Sequence, residues 1–230
     1  DFAAAASLPV AFCTAQACFE LAGLRAGQRV LIHAGAGGVG LAAIQLARAI
    51  GTEVLATASA AKRPFLHRYG VAHVFDSRST SFAAEVLAAT DGQGVDVVIN
   101  SLTGPGFVEA SLSVLAKGGQ FVEISKRDTW SFEQMSAKRP DVRYHLFALD
   151  EWLWDAPDRV ARLLDLTLDG LAAGRITPPP RRCFTLNEAP AAMRLMQRAG
   201  HIGKIVLIVD HAEPRRDGAY LVTGGLGALG

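Results

Sequence analysis

The chain has 230 residues, of which 50% are hydrophobic and 20% are charged, and its formal net charge is +1. This length is ample for a buried core, and the near-zero charge gives no reason to expect a nucleic-acid partner. We find no apolar run of the about 18 residues that a membrane span needs, no signal peptide, and no disulfide or zinc framework among Cys13, Cys18 and Cys183, so the sequence favours a reducing, cytoplasmic setting without a metal.

The predicted elements alternate between helices and strands. An amphipathic helix is predicted over 7–24, followed by strands at 29–33, 53–58, 71–75, 94–100 and 119–124, with helices up to residue 49, at 82–89 and at 107–115. After residue 128 the pattern loosens into a strand at 142–149, a helix at 158–173, an extended link at 178–180, a helix at 188–198 and a strand at 204–209. Strands separated by helices pair in parallel through right-handed crossovers, so the sequence predicts an α/β fold with a doubly wound parallel sheet, a Rossmann fold.

A glycine-rich turn separates the first strand from its helix. The turn consists of Gly35, Ala36, Gly37, Gly38, Val39 and Gly40. Its first, third and sixth residues form the G-x-G-x-x-G spacing, in which one glycine permits the tight turn, the next admits a pyrophosphate to the backbone N–H groups, and the third lets helix and strand pack closely. The positive end of the helix then faces the phosphates. The turn therefore predicts dinucleotide binding, the alternative being a plain tight turn.

The second strand indicates which dinucleotide is bound. NAD-selective proteins usually end this strand in an acidic residue for the ribose 2′-hydroxyl, but Glu53 lies at the opposite end of the strand. Ser59, Lys62 and Arg63 follow the strand instead, and a 2′-phosphate requires cationic donors without a nearby carboxylate. The sequence predicts NADP(H), the alternative being that the two basic residues only begin a solvated helix.

The last residues look like the start of another unit. A polar stretch at 211–217 reads as a linker, and residues 219–223 read as a strand before a second glycine turn formed by Gly225, Gly227 and Gly230. We expect a second nucleotide-binding domain to follow in a longer parent protein, the alternative being a glycine-rich tail.

Several blocks of sequence, in this order, resemble the enoyl reductase domain of modular polyketide synthases, a zinc-independent branch of the medium-chain dehydrogenase/reductase superfamily. The blocks lie at 8–15, 33–40, 62–63, 77–78, 100–102, 121–128 and 201–204. Residues 220–230 resemble the opening of a ketoreductase domain. The resemblance implies an enoyl reductase nucleotide-binding domain over 1–210, a linker over 211–217 and a truncated ketoreductase-like domain over 218–230. It also implies that the bulk of a GroES-like substrate domain precedes Asp1.

The resemblance implies NADPH-dependent reduction of the C2=C3 double bond of an enoyl thioester on acyl carrier protein. Hydride would go to C3, and the resulting enolate would be protonated at C2. The implied neighbours are other synthase domains, with a ketoreductase downstream and a dehydratase upstream.

The resemblance also implies roles for individual residues. Residues 35–40 would hold the pyrophosphate, and Ser59, Lys62 and Arg78 the 2′-phosphate and adenine end. The residues implied near the rest of the cofactor are Thr14, Asn100, Ser101, Leu102, Ile124 and Lys204. Lys126 and Asp128 are the implied catalytic residues, with Asp128 as proton donor. The chain departs from the family's pattern at Ser125, where glycine is common, and at 104–107, which lacks a lysine donor proposed in some members.

Two other functions remain open at this point. A free-standing NADPH quinone or alkenal reductase would share the cofactor motif but not the linker and second glycine turn. A catalytically inactive, structural nucleotide-binding domain is favoured by the missing lysine and disfavoured by the presence of Lys126 and Asp128.

Overall fold

The computed structural model describes residues 1–209, so the predicted linker and second glycine turn lie outside the described residues. A six-stranded, fully parallel sheet forms the centre, with strand order β3-β2-β1-β4-β5-β6. Its strands are β1 (Arg29–Ile32), β2 (Glu53–Ala58), β3 (His73–Asp76), β4 (Val95–Asn100), β5 (Leu115–Glu123) and β6 (Arg143–Leu146). The strand order reverses between β1 and β4, which opens a crevice at the carboxyl ends of the strands. The predicted Rossmann fold is confirmed.

Ten α-helices and a second sheet surround these strands in the described part of the chain. The helices are α1 (Phe2–Ser7), α2 (Pro9–Ala22), α3 (Gly38–Ile50), α4 (Arg63–Arg68), α5 (Phe82–Ala89), α6 (Phe107–Ser113), α7 (Phe132–Lys138), α8 (Leu149–Asp155), α9 (Pro157–Ala172) and α10 (Ala189–Gln197). The second sheet is a parallel pair of β7 (Arg181–Thr185) and β8 (Lys204–Ile208).

The sheet is buried on both faces, as its continuous apolar strands predict. Side chains alternate along β1: Val30 and Ile32 lie in the core formed with α2, α3 and α9, whereas Leu31 lies in the core formed with α5, α6 and α7. All three are at most 1% exposed. Helices thus cover both faces of the sheet.

Some predicted boundaries were wrong. The helix predicted over 107–115 ends at Ser113, because Leu115 already pairs with Val95 and begins β5, four residues before the predicted start. The strand predicted over 142–149 ends at Leu146, and Leu149, the last residue of the predicted strand, instead begins α8. Strand β7 was missed because its apolar content is low: its five residues include Arg181, Arg182 and Thr185.

The sequence was expected to contain no apolar run as long as a membrane span, yet one helical stretch of the structure has such a length and composition. This stretch is Phe2–Ala22, which comprises α1 and α2, and it meets the test by length and composition alone. In this fold, 56% of its most apolar window is buried, and α2 packs against α3 and α9. Its hydropathy therefore has an explanation in core packing.

Candidate functional site

The residue just before the glycine turn has a strained backbone conformation. Ala34 has φ +50°, so the left-handed position at the entry to the turn is occupied by an alanine. Gly40 is required for a different reason: a Cβ there would lie 2.6 Å from the Gly35 Cα and 2.7 Å from the Ala34 carbonyl oxygen. Its role in close packing of helix against turn is as predicted.

The first turn of α3 offers free backbone donors. Gly37 is the N-cap and, within the described residues, no side chain caps the helix. The first helical hydrogen bond runs from the Leu41 N–H to the Gly37 carbonyl, at 2.9 Å. The preceding N–H groups and the helix dipole therefore suit an anion such as a pyrophosphate.

The histidine that precedes this turn is buried and is hydrogen-bonded to two neighbouring elements. His33 is 3% exposed, with Nδ1 3.0 Å from the Thr57 hydroxyl and Nε2 2.9 Å from the Ser111 hydroxyl. Ser111 donates its own proton to the Phe107 carbonyl at 2.7 Å, so we assign the imidazole proton to Nε2, and Nδ1 accepts from Thr57. Burial lowers the pKa of His33 to about 3. The neutral ring thus joins the end of β1 to β2 and α6.

A cavity of about 320 Å³ opens beside the turn and brings several predicted residues together. We call it the basic cavity; it is lined by Ala34, Ala36, Gly37, Ala58, Ser59, Lys62, Ser77, Arg78, Leu102, Ala199 and His201. None of these residues is acidic. Burial, and secondly the charge of Arg78, lowers the pKa of Lys62, so two cations face one another here without a carboxylate among the lining residues. Glu53 lies at the other end of β2 and pairs with Arg29 at 2.8 Å.

Lys204 lies beside the start of α3. The Gly203 N–H donates to the Ala36 carbonyl at 2.8 Å, and the Lys204 N–H donates to the Pro180 carbonyl at 2.9 Å. Gly203 has φ +70°, and a Cβ there would collide with the Pro180 carbonyl. The Lys204 side chain in turn occupies the space that a Cβ on Gly38 would need. Strand β8 is thereby held against the glycine turn.

A buried carboxylate that the sequence reasoning did not single out lies at the carboxyl edge of β4 and β5. Glu123 is 1% exposed; its Oε2 accepts from Asn100 Nδ2 at 2.5 Å and its Oε1 accepts from the Ser125 N–H at 2.8 Å. Asn100 also bonds the backbone of Leu102. Burial raises the pKa of Glu123 in spite of these donors. A glutamate within the apolar run 121–124 was the available signal.

The two predicted catalytic residues are exposed and border different cavities. Lys126 pairs with Asp150 at 2.5 Å and, with Glu123, lines a cavity of about 300 Å³. Asp128, at φ +53°, lines a cavity of about 290 Å³ together with residues 104–106 and Trp130. Neither borders the basic cavity.

The remaining predicted residues occupy two regions. Thr14 is buried in α2, at 7% exposure, while Ser101 follows β4 and Ile124 follows β5. Six residues were expected near the rest of the cofactor: Thr14, Asn100, Ser101, Leu102, Ile124 and Lys204. Of these six, only Leu102 lines the basic cavity. Within residues 1–209, no group of three or more His, Cys, Asp or Glu side chains is arranged to hold a metal ion.

Comparison with known proteins adds three findings. Residues 69–207 match the family described as zinc-binding dehydrogenase. The chain is 45% identical over 234 residues to the spectinabilin polyketide synthase system protein NorB of Streptomyces orinoci, covering 100% of this chain but 10% of that protein. The chain thus spans about a tenth of the length of this curated relative.

Two solved structures are similar over most of the described residues. The CurK enoyl reductase has a TM-score of 0.87 at 44% identity, covering 91% of this chain and 63% of that one. The nucleotide-binding subdomain of the enoylreductase domain of PpsC from Mycobacterium tuberculosis has a TM-score of 0.66 at 40% identity, covering 74% of this chain and 97% of that one.

Proposed function

We propose a function on the premise that this chain belongs to the zinc-binding dehydrogenase family and, within it, to the enoyl reductase domains of polyketide synthases. This family assignment implies a nicotinamide cofactor and a reductase role in polyketide processing. Our proposal is more specific: the chain binds NADPH and serves the reduction of the C2=C3 double bond of an enoyl thioester carried on acyl carrier protein.

The lining of the basic cavity is the observation that favours NADPH over NADH. Lys62 and Arg78 face it, Ser59 adds a hydroxyl, and no lining residue is acidic. A 2′-phosphate carries up to two negative charges, which such a pocket stabilises through charge-assisted hydrogen bonds. The ribose 2′-hydroxyl of NADH would instead need an acceptor, and Glu53 is held at the far end of β2 by Arg29.

The glycine turn fits the pyrophosphate. The lack of a Cβ at Gly40 lets α3 begin directly against the turn, and the uncapped start of this helix supplies N–H donors for the phosphates. We assign Thr14, Lys204 and the residues that follow β4 and β5, namely Asn100, Ser101, Leu102 and Ile124, to the part of the site toward the nicotinamide. When bound, the reduced cofactor supplies a hydride to C3 of the substrate.

The loop after β5 supplies the proton at C2. We propose Asp128 as its donor and Lys126, on the same loop, as the cation that stabilises negative charge on the thioester oxygen. Asp128 is exposed to solvent in this chain alone, so this role requires that substrate or the substrate domain cover it. Glu123 is not the donor that we propose, because both of its oxygens accept hydrogen bonds and hold the loop in place.

The partners follow from the same premise. We propose acyl carrier protein as the substrate carrier, a dehydratase upstream, a ketoreductase beginning at 218–230 and a cytoplasmic synthase as the whole assembly. The polyketide synthase character of the matched relatives supports this arrangement.

The test begins with fluorescence titration of this chain with NADPH and NADH in parallel. The PpsC structure covers a subdomain of similar extent, which supports testing the chain alone. We expect clear preference for NADPH; equal affinities would refute the assignment of the basic cavity. The complete reductase domain is then assayed for NADPH oxidation with enoyl thioesters on acyl carrier protein. Turnover of quinones but not thioesters would favour a quinone reductase, and binding without any turnover would favour a structural domain.

A further inference from the structure

The basic cavity contains a histidine to which no role has been given. His201 lies between α10 and β8 and lines the cavity together with Lys62 and Arg78. Its Nδ1 is buried and has no hydrogen-bond partner in the described part of the chain. A buried ring nitrogen without a hydrogen-bond partner costs free energy. A ligand that forms a hydrogen bond with this nitrogen removes that cost, which adds to its binding free energy.

The charges around His201 come from three separate segments. Burial contributes most to lowering the pKa of this imidazole, and the charge of Lys62, between β2 and α4, contributes next. Lys204 on β8 acts in the same direction, while the Leu195 carbonyl on α10 opposes them. Arg78 adds a further positive charge beside Lys62. The ring is therefore neutral at neutral pH.

We propose that His201 is the third cation of the 2′-phosphate site and that binding of a phosphorylated dinucleotide draws one proton from solvent onto its ring. The proton goes to the free Nδ1, which then donates to a phosphate oxygen. A dianion in the cavity offsets the repulsion by Lys62 and Lys204 that keeps the ring neutral, and an opposite charge at about 4–6 Å raises the pKa of such a group by about 1–3 units. No other covalent bond changes.

This inference rests on the proposed binding of NADPH, and it extends that proposal from cofactor choice to pH. Because a proton enters with the phosphate, affinity for the phosphorylated cofactor falls as pH rises, by up to about tenfold per pH unit for one full proton. Affinity for NAD⁺, which lacks the phosphate, does not. A ring that only packs against the nucleoside would affect both cofactors alike.

The experiment is calorimetric titration of the chain with NADP⁺ and NAD⁺ at about pH 7, in two buffers of different ionisation enthalpy. The oxidised cofactors are used because they tolerate acid. The difference in heat between buffers gives the number of protons taken up. The variant is His201→Gln, and the matched control is His73→Gln, a half-buried histidine at the start of β3. Because a phosphate titrates near pH 6 by itself, proton uptake is compared between wild type and variant.

We expect wild type and His73→Gln to take up about half a proton or more with NADP⁺ beyond the value for His201→Gln. We also expect His201→Gln to bind NADP⁺ about tenfold more weakly at pH 6 while its NAD⁺ affinity is unchanged. Equal proton uptake in all three proteins, or equal weakening toward both cofactors, overturns the inference while NADP⁺ preference stands. Loss of preference for NADP⁺ in the wild type overturns the proposed function and this inference together.

Discussion

Acid should destabilise this chain through one buried imidazole, His33. Its pKa is about 3 in the fold, whereas an unfolded histidine titrates near pH ~6.5. Below pH ~6.5 the unfolded chain binds a proton that the folded chain does not accept until about pH 3. The stabilising contribution of the neutral ring is therefore complete above pH ~6.5 and is lost as pH falls toward 3, by about 1.4 kcal/mol per unit. At pH ~4.5 the loss amounts to about 2.7 kcal/mol.

The assay is urea unfolding of wild type and His33→Gln at pH ~7.5, 5.5 and 4.5. The glutamine keeps a donor toward Ser111 but does not titrate, so the difference between the two proteins isolates the imidazole from carboxylates elsewhere. We expect the wild type to lose about 2.7 kcal/mol more than the variant between pH ~7.5 and 4.5, and the exposed-site control His67→Gln to follow the wild type. Parallel pH dependence of wild type and His33→Gln would show that the ring is protonated in the fold and refute the tautomer assignment.

Three further predictions concern the cavities and the loop after β5. Lys62→Ala should weaken NADPH binding by about tenfold or more but leave NADH binding nearly unchanged, since only the phosphate loses a charged partner; equal losses in parallel titrations would contradict this. Asp128→Asn in the complete domain should lower kcat without a matching loss of NADPH affinity, and unchanged turnover would leave Asp128 a loop residue. Glu123→Gln should lower the free energy of unfolding by about 1–3 kcal/mol, because its amide nitrogen must face the N–H donor of Asn100 or of Ser125. A denaturation midpoint equal to wild type would contradict the role of Glu123 as acceptor of both hydrogen bonds.

The fold was predictable because its signals are local. The strand predicted at 53–58 and the helix predicted at 82–89 agree with the structure residue for residue, since apolar runs and helical spacing are read within one window. Strand β7 was missed because only its pairing with β8 makes it a strand. Likewise, the sequence around Leu115 predicts a helix, but in the fold Leu115 pairs with Val95, twenty positions earlier, and belongs to β5.

The site was predictable where one segment specifies it. The glycine turn lies between β1 and α3, and the structure brings Ser59, Lys62 and Arg78 to one cavity, which Arg63 does not line. The network of His33, the carboxylate of Glu123 and the position of His201 each depend on residues from several elements. No spacing rule connects such groups, because folding alone makes them neighbours.

The bond between Gly203 and Ala36 has a consequence for the order in which the protein is made. The ribosome completes the glycine turn early, yet the strand that holds it in place is among the last described segments to be synthesised. Until β8 emerges, the turn lacks the Gly203 N–H that donates to Ala36, and a contact spanning most of the described sequence forms slowly. A nascent chain should therefore acquire its cofactor affinity late, and a truncation before β8 should fold its six-stranded sheet yet bind dinucleotide poorly.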